Sequence, residues 1–235
     1  MKKSFLLIAM LLMLGGSMFA QDLDLGIKVG YQTPKLSYQQ ADIKAGFQNH
    51  LTFGLFGRVE VGSLYVQPEI LYFKTQNIFS LDATNISEGL LPEENVTFTL
   101  NEANLQIPIL VGYKPNFLDF GIVALRAQVG PTANFTLAST TLFDKTFSLT
   151  GNDGETVTID ENEEAFDTKT IAWGMQAGVG ADILGKITLD INYNFGLSRV
   201  FGTLNNTSLN NYFDFTNVDN TKQSLFMVTV GYKFL

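Results

Sequence analysis

His50 is the only histidine in a chain of 235 residues that has no cysteine, so the side chains that most often run proton transfer, covalent catalysis and metal binding are nearly absent. Without cysteine there is no disulfide framework, zinc ribbon, thiol nucleophile or lipid-modified N-terminal cysteine. His50 alone is available as a general base. A single histidine with no serine motif beside it reads as a solvated or interfacial residue, and a chain without catalytic residues, cofactor or metal is expected. The acidic run Asn152-Asp153-Gly154-Glu155 followed by Asp160-Glu161-Asn162-Glu163-Glu164 suggests calcium at first sight. It lacks the D-x-[DN]-x-[DN]-G spacing and the closing Glu of an EF-hand loop, so it reads as a solvated acidic loop, with weak divalent bridging to itself or to lipopolysaccharide as the alternative.

The remaining chemistry is electrostatic. Asp24, Lys28, Arg58, Glu60, Glu69, Glu102, Lys114, Arg126, Asp182, Asp190 and Lys233 each lie on the polar face of a segment in which apolar and polar residues alternate. Such alternation is the signature of a two-faced strand. From Asp22 to Thr33 the apolar face is Leu23, Leu25, Ile27, Val29 and Tyr31. The second segment sets Leu51, Phe53, Leu55, Val59 and Val61 against Thr52, Gly54, Arg58 and Glu60, with Phe56 an apolar intruder on the polar face. In the third, Leu64 to Thr75, the faces are Leu64, Val66, Ile70, Tyr72 and Gln67, Glu69, while Leu71 and Phe73 blur the pattern. Five more follow: Glu102 to Lys114, Gly121 to Leu137, and then the apolar faces Ile171–Val179, Ile187–Leu197 and Phe226–Phe234. Eight strands account for the chain beyond residue 21.

The first twenty residues are different. Lys2 and Lys3 precede an unbroken apolar run from Phe5 to Leu14 and a small-residue tail ending at Ala20. Ten apolar residues are too few to span a bilayer, so residues 1–20 read as a cleaved secretory signal peptide and 21–235 as one domain. The chain is 46% apolar and only 16% charged, against about 25% charged in ordinary globular domains. Its net charge of -8 argues against nucleic acid, which binds clustered Lys and Arg.

Alternation alone leaves open which face is inside, since a lipocalin-like calyx has the same period with the apolar face turned inward. Three features favour the opposite arrangement. Strands of about 11 residues tilted by about 40° match a membrane apolar band of about 25 Å, whereas soluble strands usually stop at about 5 or 6. The connections alternate between long (34–49, 76–101, 138–168, 201–222) and short (62–63, 115–120, 183–186). The apolar-face aromatics gather at strand ends, with Tyr31, Phe53, Tyr72, Trp173 and Phe226 towards one rim and Tyr113, Tyr232 and Phe234 towards the other, as membrane-interface girdles do. The expectation is an all-β, eight-stranded antiparallel up-and-down transmembrane β-barrel in the outer membrane. Both termini and the short turns would be periplasmic and the long loops extracellular.

On that topology the polar face lines the lumen. Lys28, Arg58, Glu60, Glu69, Arg126 and Asp190 are expected to form a charge network there, because enclosed charges are tolerable only when paired. Lumen glycines such as Gly112, Gly178 and Gly180 either leave a small wet cavity or relieve crowding where strands bend. Pro68, Pro108 and Pro131 lie within strands, and bulges are expected at them. The long connections carry charges of +1, -4, -7 and -1, while the remainder of the mature chain is near neutral, so the acidity lies outside the membrane.

Several strands resemble a known family. Val66-Gln67-Pro68-Glu69-Ile70-Leu71-Tyr72 and Asn104-Leu105-Gln106-Ile107-Pro108-Ile109-Leu110-Val111-Gly112-Tyr113-Lys114 are similar to the third and fourth strands of the porin-like (PorT-like) outer-membrane β-barrel proteins of the Bacteroidota. Gly178-Val179-Gly180-Ala181-Asp182, Leu189-Asp190-Ile191-Asn192-Tyr193 and Gly231-Tyr232-Lys233-Phe234 resemble later strands, so the likeness spans essentially the whole mature chain. It implies an integral outer-membrane barrel inserted by the barrel-assembly machinery through its C-terminal aromatic strand, here Tyr232, Phe234 and Leu235. Some relatives take part in type IX secretion; no residue assigns this chain to that pathway.

The functional expectation is a non-catalytic outer-membrane barrel with a largely filled polar lumen. Its surroundings would be outer-membrane lipid and lipopolysaccharide, and its acidic loops would meet envelope protein partners. A narrow pore or a transport or secretion accessory is the alternative, and a lipid A-modifying enzyme built on His50 a weaker one. Wide porins need about 16 to 18 strands.

Overall fold

The structure, a computed structural model, describes residues 22–37, 43–47, 50–81, 96–143, 147–150, 156–159, 170–198 and 222–235. Residues 1–20, the expected signal peptide, and most of the acidic run at 152–164 lie outside them.

The strands are β1 (Asp22–Ser37), β2 (Ile43–Phe47), β3 (His50–Val61), β4 (Leu64–Leu81), β5 (Val96–Tyr113), β6 (Val123–Phe143), β7 (Phe147–Thr150), β8 (Thr156–Ile159), β9 (Ile171–Ile183), β10 (Ile187–Gly196) and β11 (Lys222–Lys233). Eight of them, β1, β3, β4, β5, β6, β9, β10 and β11, pair antiparallel with their neighbours in sequence. Pairing of β1 with β11 closes the ring into an up-and-down barrel. β2 extends the sheet beside the far end of β4, and β7 and β8 form a separate hairpin.

The ladder sets the width of the bore. From Asp22 the paired residues run through Glu60, Tyr65, Gly112, Gln128, Gly178, Asn192 and Met227 and return to β1 at Gln32, ten residues further along. A stagger of ten residues at about 3.3 Å, set against eight strands about 4.8 Å apart, tilts the strands by about 40°. At this strand number the bore is about wide enough for side chains to fill.

The hairpin ends use the turn chemistry that tight connections need. Gly62 has φ +62°, and in the turn Ile183–Lys186, closed by a 3.2 Å hydrogen bond, both Leu184 (φ 52°) and Gly185 (φ 69°) are left-handed. Positive φ at both central residues matches the right-handed twist of the flanking strands. These short connections share one rim, the turn end, and the opposite rim is the loop end.

Two expectations are corrected. Strands run beyond the expected bounds at the loop end: β1 reaches Ser37, β4 Leu81 and β6 Phe143, while β5 begins at Val96. There the segments Gln76–Leu81 and Ala138–Phe143 have no clean alternation, since a wall above the membrane needs no apolar face. The prolines do not bulge the sheet. Glu69 and Val66 keep one register against β3 on either side of Pro68, and the ladders on both sides of Pro108 and Pro131 likewise resume in step. The missing N–H costs a ladder bond without inserting a residue. The register shift instead lies opposite Ala103/Asn104, where Leu137 is the extra residue.

The fold is inverted relative to a soluble domain. Outward positions between the turns and Tyr31, Leu51, Tyr72, Ala103, Ala133, Ile171, Phe195 and Phe226 hold no Asp, Glu, Lys or Arg. Leu55, Ile70, Val129, Val179 and Val230 are exposed there, whereas Lys28, Arg58, Arg126 and Asp190 are buried inside. A surface of this kind is stable only in hydrocarbon.

Candidate functional site: the lumen

Because side chains alternate across a strand, every second residue of each wall points into the bore. In the turn-end half those residues form one ion network. Lys28 bridges Glu69 at 2.5 Å and Asp190 at 2.8 Å. Arg58 reaches across to Asp182 at 2.5 Å, a residue 124 positions away in sequence, and contacts Glu60 at 3.3 Å. Arg126 holds Asp182 at 3.1 Å and also Asp190. Lys233 joins Asp24 (2.7 Å) to Asp182 (3.3 Å), and Lys114 joins Glu60. Lys28, Arg58, Lys114, Arg126 and Lys233 thus meet Asp24, Glu60, Glu69, Asp182 and Asp190, a balanced set of cations and carboxylates. The six residues expected in the network, Lys28, Arg58, Glu60, Glu69, Arg126 and Asp190, are brought together.

Neutral groups complete it. Arg58 Nε donates to Gln67 Oε1 at 2.6 Å, and Arg126 Nη1 donates to Gln128 Oε1 at 2.9 Å and to the Tyr65 hydroxyl at 3.0 Å. Tyr65 donates in turn to Gln128 Oε1 at 3.1 Å. The Tyr65 ring lies 4.9 Å from the Arg58 guanidinium carbon and 5.6 Å from that of Arg126, so one ring serves two cations. Phe56, an intruder by sequence, does the same for Lys28 at 5.1 Å. Alternation alone does not single out Tyr65. Its signal is positional, since it shares the parity of Gln67 and Glu69.

The lumen glycines of this half are covered by these side chains. A Cβ at Gly112 would lie 2.0 Å from the Tyr65 ring, and one at Gly180 would lie 2.3 Å from Asp190 Oδ1 and 2.8 Å from the Arg126 guanidinium carbon. Their role is room for long side chains of the residues paired with them on the neighbouring strands; the expected alternative, a wet cavity, does not arise at Gly112 or Gly180.

The loop-end half is filled otherwise. Leu71, Phe73, Leu225 and Met227 form a buried apolar cluster inside the bore. Beside it, Gln32, Gln106 and Gln176 are buried with both amide atoms unpartnered, and Asn134 Oδ1 and Asn194 Oδ1 also have no partner. Glu102, on the same polar face, stands outside the ion network. It accepts one hydrogen bond, from Thr75 Oγ1 at 3.2 Å, and its Oε1 is free.

The aromatics expected at the membrane interfaces fall at the two rims. Tyr31, Phe53, Trp173 and Phe226 are exposed towards the loop end, where Phe53 pairs with Tyr72 at a ring distance of 5.2 Å. Tyr113, Tyr232, Phe234 and Leu235 are exposed at the turn end, joined by Phe117 and Phe120. Tyr193 and Phe195, edge to face at 4.6 Å, extend the loop-end band. A concavity of about 720 Å³ lies on the outer wall among Ile27, Val29, Phe53, Leu55, Ile70 and Tyr72. Its lining is apolar and faces the hydrocarbon, so it bears on lipid contact and not on the lumen.

His50 stands at the start of β3, where its Nε2 accepts the backbone N–H of Gln76 at 2.9 Å. That bond ties β3 to β4 and occupies the nitrogen a general base would use. Among the described residues no group of three or more His, Cys, Asp or Glu is arranged to hold a metal ion.

A family model described as outer membrane protein beta-barrel domain matches residues 19–202. Among solved structures the chain is similar to Ail, the attachment invasion locus protein of Yersinia pestis, at 13% identity and a TM-score of 0.42, covering 91% of this chain and 100% of that one. It is also similar to Neisserial surface protein A, at 12% identity and 0.41, with the same coverage. The translocator domain of the autotransporter NalP from Neisseria meningitidis gives 13% identity and 0.31, covering 99% and 96%. No curated protein matches the chain in sequence.

Proposed function

Because the chain belongs to the outer membrane protein beta-barrel domain family and is an integral protein of that membrane, we propose that it works as a closed, non-catalytic barrel with an envelope structural or interaction role. The observation that carries this reading is the turn-end network, in which Arg58, Arg126, Tyr65, Asp182 and Asp190 cross-link opposite walls of a bore about as wide as side chains can fill. An ion passing through would have to break pairs that are buried on both sides.

The short turns and both termini then face the periplasm, and the long connections and their acidity face outwards. Outer-membrane lipid and lipopolysaccharide surround the aromatic rims, and envelope proteins are met through the loops. The barrel-assembly machinery inserts the chain by its final strand, with Tyr232, Phe234 and Leu235 as the signal. The Val66–Tyr72 and Asn104–Lys114 motifs support a PorT-like, Bacteroidota placement within the family.

Single-channel recording of the refolded protein in a planar bilayer tests the closed state. Silence is the expected result, and steady conductance would establish the narrow-pore alternative instead. His50→Ala is expected to leave the lipid A profile unchanged by mass spectrometry, and an altered profile would overturn the non-catalytic reading.

A further inference from the structure

We propose that Glu102 is the anchor of a binding site for one small monovalent cation at the loop end of the lumen. The argument begins with charge balance. Asp24, Glu60, Glu69, Asp182 and Asp190, the carboxylates of the turn-end network, each have at least one lysine or arginine within ion-pair distance. The five inward cations are all committed to those five carboxylates at the turn end. Among the described residues Glu102 meets no lysine or arginine, and it is only 3% exposed.

An isolated carboxylate removed from water is strongly unfavourable unless something positive meets it. The polar groups around Glu102 satisfy one of its carboxylate oxygens and leave the other without a partner. Thr75 lies opposite on β4 and donates to Oε2, its own hydroxyl accepts from Asn104 Nδ2 at 3.4 Å, and Asn104 Oδ1 accepts from Thr136 at 3.2 Å. Oε1 has no partner, nor has the buried Oγ of Ser139, the residue directly opposite Glu102 on β6. The register shift at Leu137 causes this. Had the ladder run on in the register of Asn104 and Thr136, Ala138 would stand opposite Glu102 and Ser139 would point out of the barrel.

Two unpaired oxygens on adjacent strands, one of them charged, suit a ligand of charge +1 that offers N–H donors or accepts oxygen ligands directly. A protonated primary amine and an alkali ion share that chemistry. A divalent ion is disfavoured by a single carboxylate. The site does not depend on whether the barrel conducts, because Glu102 and Ser139 lie at the loop end and share no ion pair with the turn-end network.

The test uses refolded wild-type protein in detergent micelles, titrated calorimetrically with methylammonium chloride and, separately, potassium chloride. Tetramethylammonium, which offers no N–H donor and is bulkier, holds ionic strength constant. Saturable binding of either probe is expected, with methylammonium alone identifying an amine site and potassium an alkali site. Glu102→Gln, which keeps the shape and removes the charge, should weaken that binding at least tenfold, and Ser139→Ala several-fold. Gel migration before and after heating establishes that both variants fold. Absence of saturable binding by either probe would overturn the proposal, and so would unchanged binding in Glu102→Gln. A protonated-carboxyl infrared band lost in Glu102→Gln but unmoved by saturating probe would show that a proton does the neutralising, and would also overturn it. Should Glu102→Gln fail to fold, the wild-type titration alone decides.

Discussion

Gln67 and Gln176 are the same residue type, both fully buried inside the same barrel, and they are treated in opposite ways. Gln67, in the turn-end half, accepts from Arg58 and donates to Glu69. Gln176, in the loop-end half, has neither amide atom paired. The contrast extends to the neighbours of each. Around Gln67 every ion has its counter-ion and even the aromatic rings of Phe56 and Tyr65 face cations. In the half that holds Gln176 the filling is the apolar cluster of Leu71, Phe73, Leu225 and Met227, amides without partners and, nearer the rim, an uncompensated glutamate. One half is therefore cross-linked from wall to wall by paired charges. The other keeps polar capacity in reserve, at a free-energy cost of about 1–3 kcal/mol for each group left unpaired.

The largest effect should come from breaking the turn-end half. Arg126→Ala removes a cation shared by Asp182 and Asp190 and leaves both carboxylates buried with less compensation, so urea unfolding of the refolded barrel should show a loss of about 3–5 kcal/mol. An unchanged midpoint would mean that water, and not Arg126, solvates those carboxylates. Next in size is a change that belongs to neither half. Leu55→Arg puts a charge on the lipid face midway between the two aromatic rims and should cost about 2–4 kcal/mol in lipid vesicles. Thr188→Arg, which points into the lumen, would be felt through crowding of Arg126 instead.

The two glutamines provide the sharpest comparison. Gln67→Leu should lose about 1–3 kcal/mol, because Arg58 Nε is left without its acceptor. Gln176→Leu should leave stability equal or raise it by up to about 1 kcal/mol, since no bond is lost. Equal losses at both positions would mean that Gln176 is satisfied by ordered water and that the halves do not differ in kind.

Much of this barrel is legible in the chain. Alternation from Leu23 to Tyr31 or from Ile187 to Leu197 exposes the two faces directly, and the alternating lengths of the connections indicate an up-and-down order. The interior is less legible for a physical reason. Alternation assigns a residue to a face but carries no information on the stagger around the ring, and it is the ten-residue stagger that brings Arg58 of β3 against Asp182 of β9. The same limit hides Tyr65, Phe56 and Leu71, which look like errors of pattern until the facing glycines and cations are in view. Glu102 is recognisable in sequence as a lumen charge. That it meets no cation among the described residues depends on the stagger, which decides the groups at its level of the barrel. The extensions of β4, β5 and β6 beyond the aromatic rim leave no mark in the sequence because a wall standing in water has no obligatory apolar face.

Closure by the turn-end half is the claim on which the functional reading depends, and single-channel recording of the wild type beside Arg126→Gln tests it most directly. The account predicts a silent wild type and discrete conductance steps in Arg126→Gln, where the link between Tyr65, Asp182 and Asp190 is cut. Steady conductance through the wild type, or a variant as silent as its parent, would contradict it.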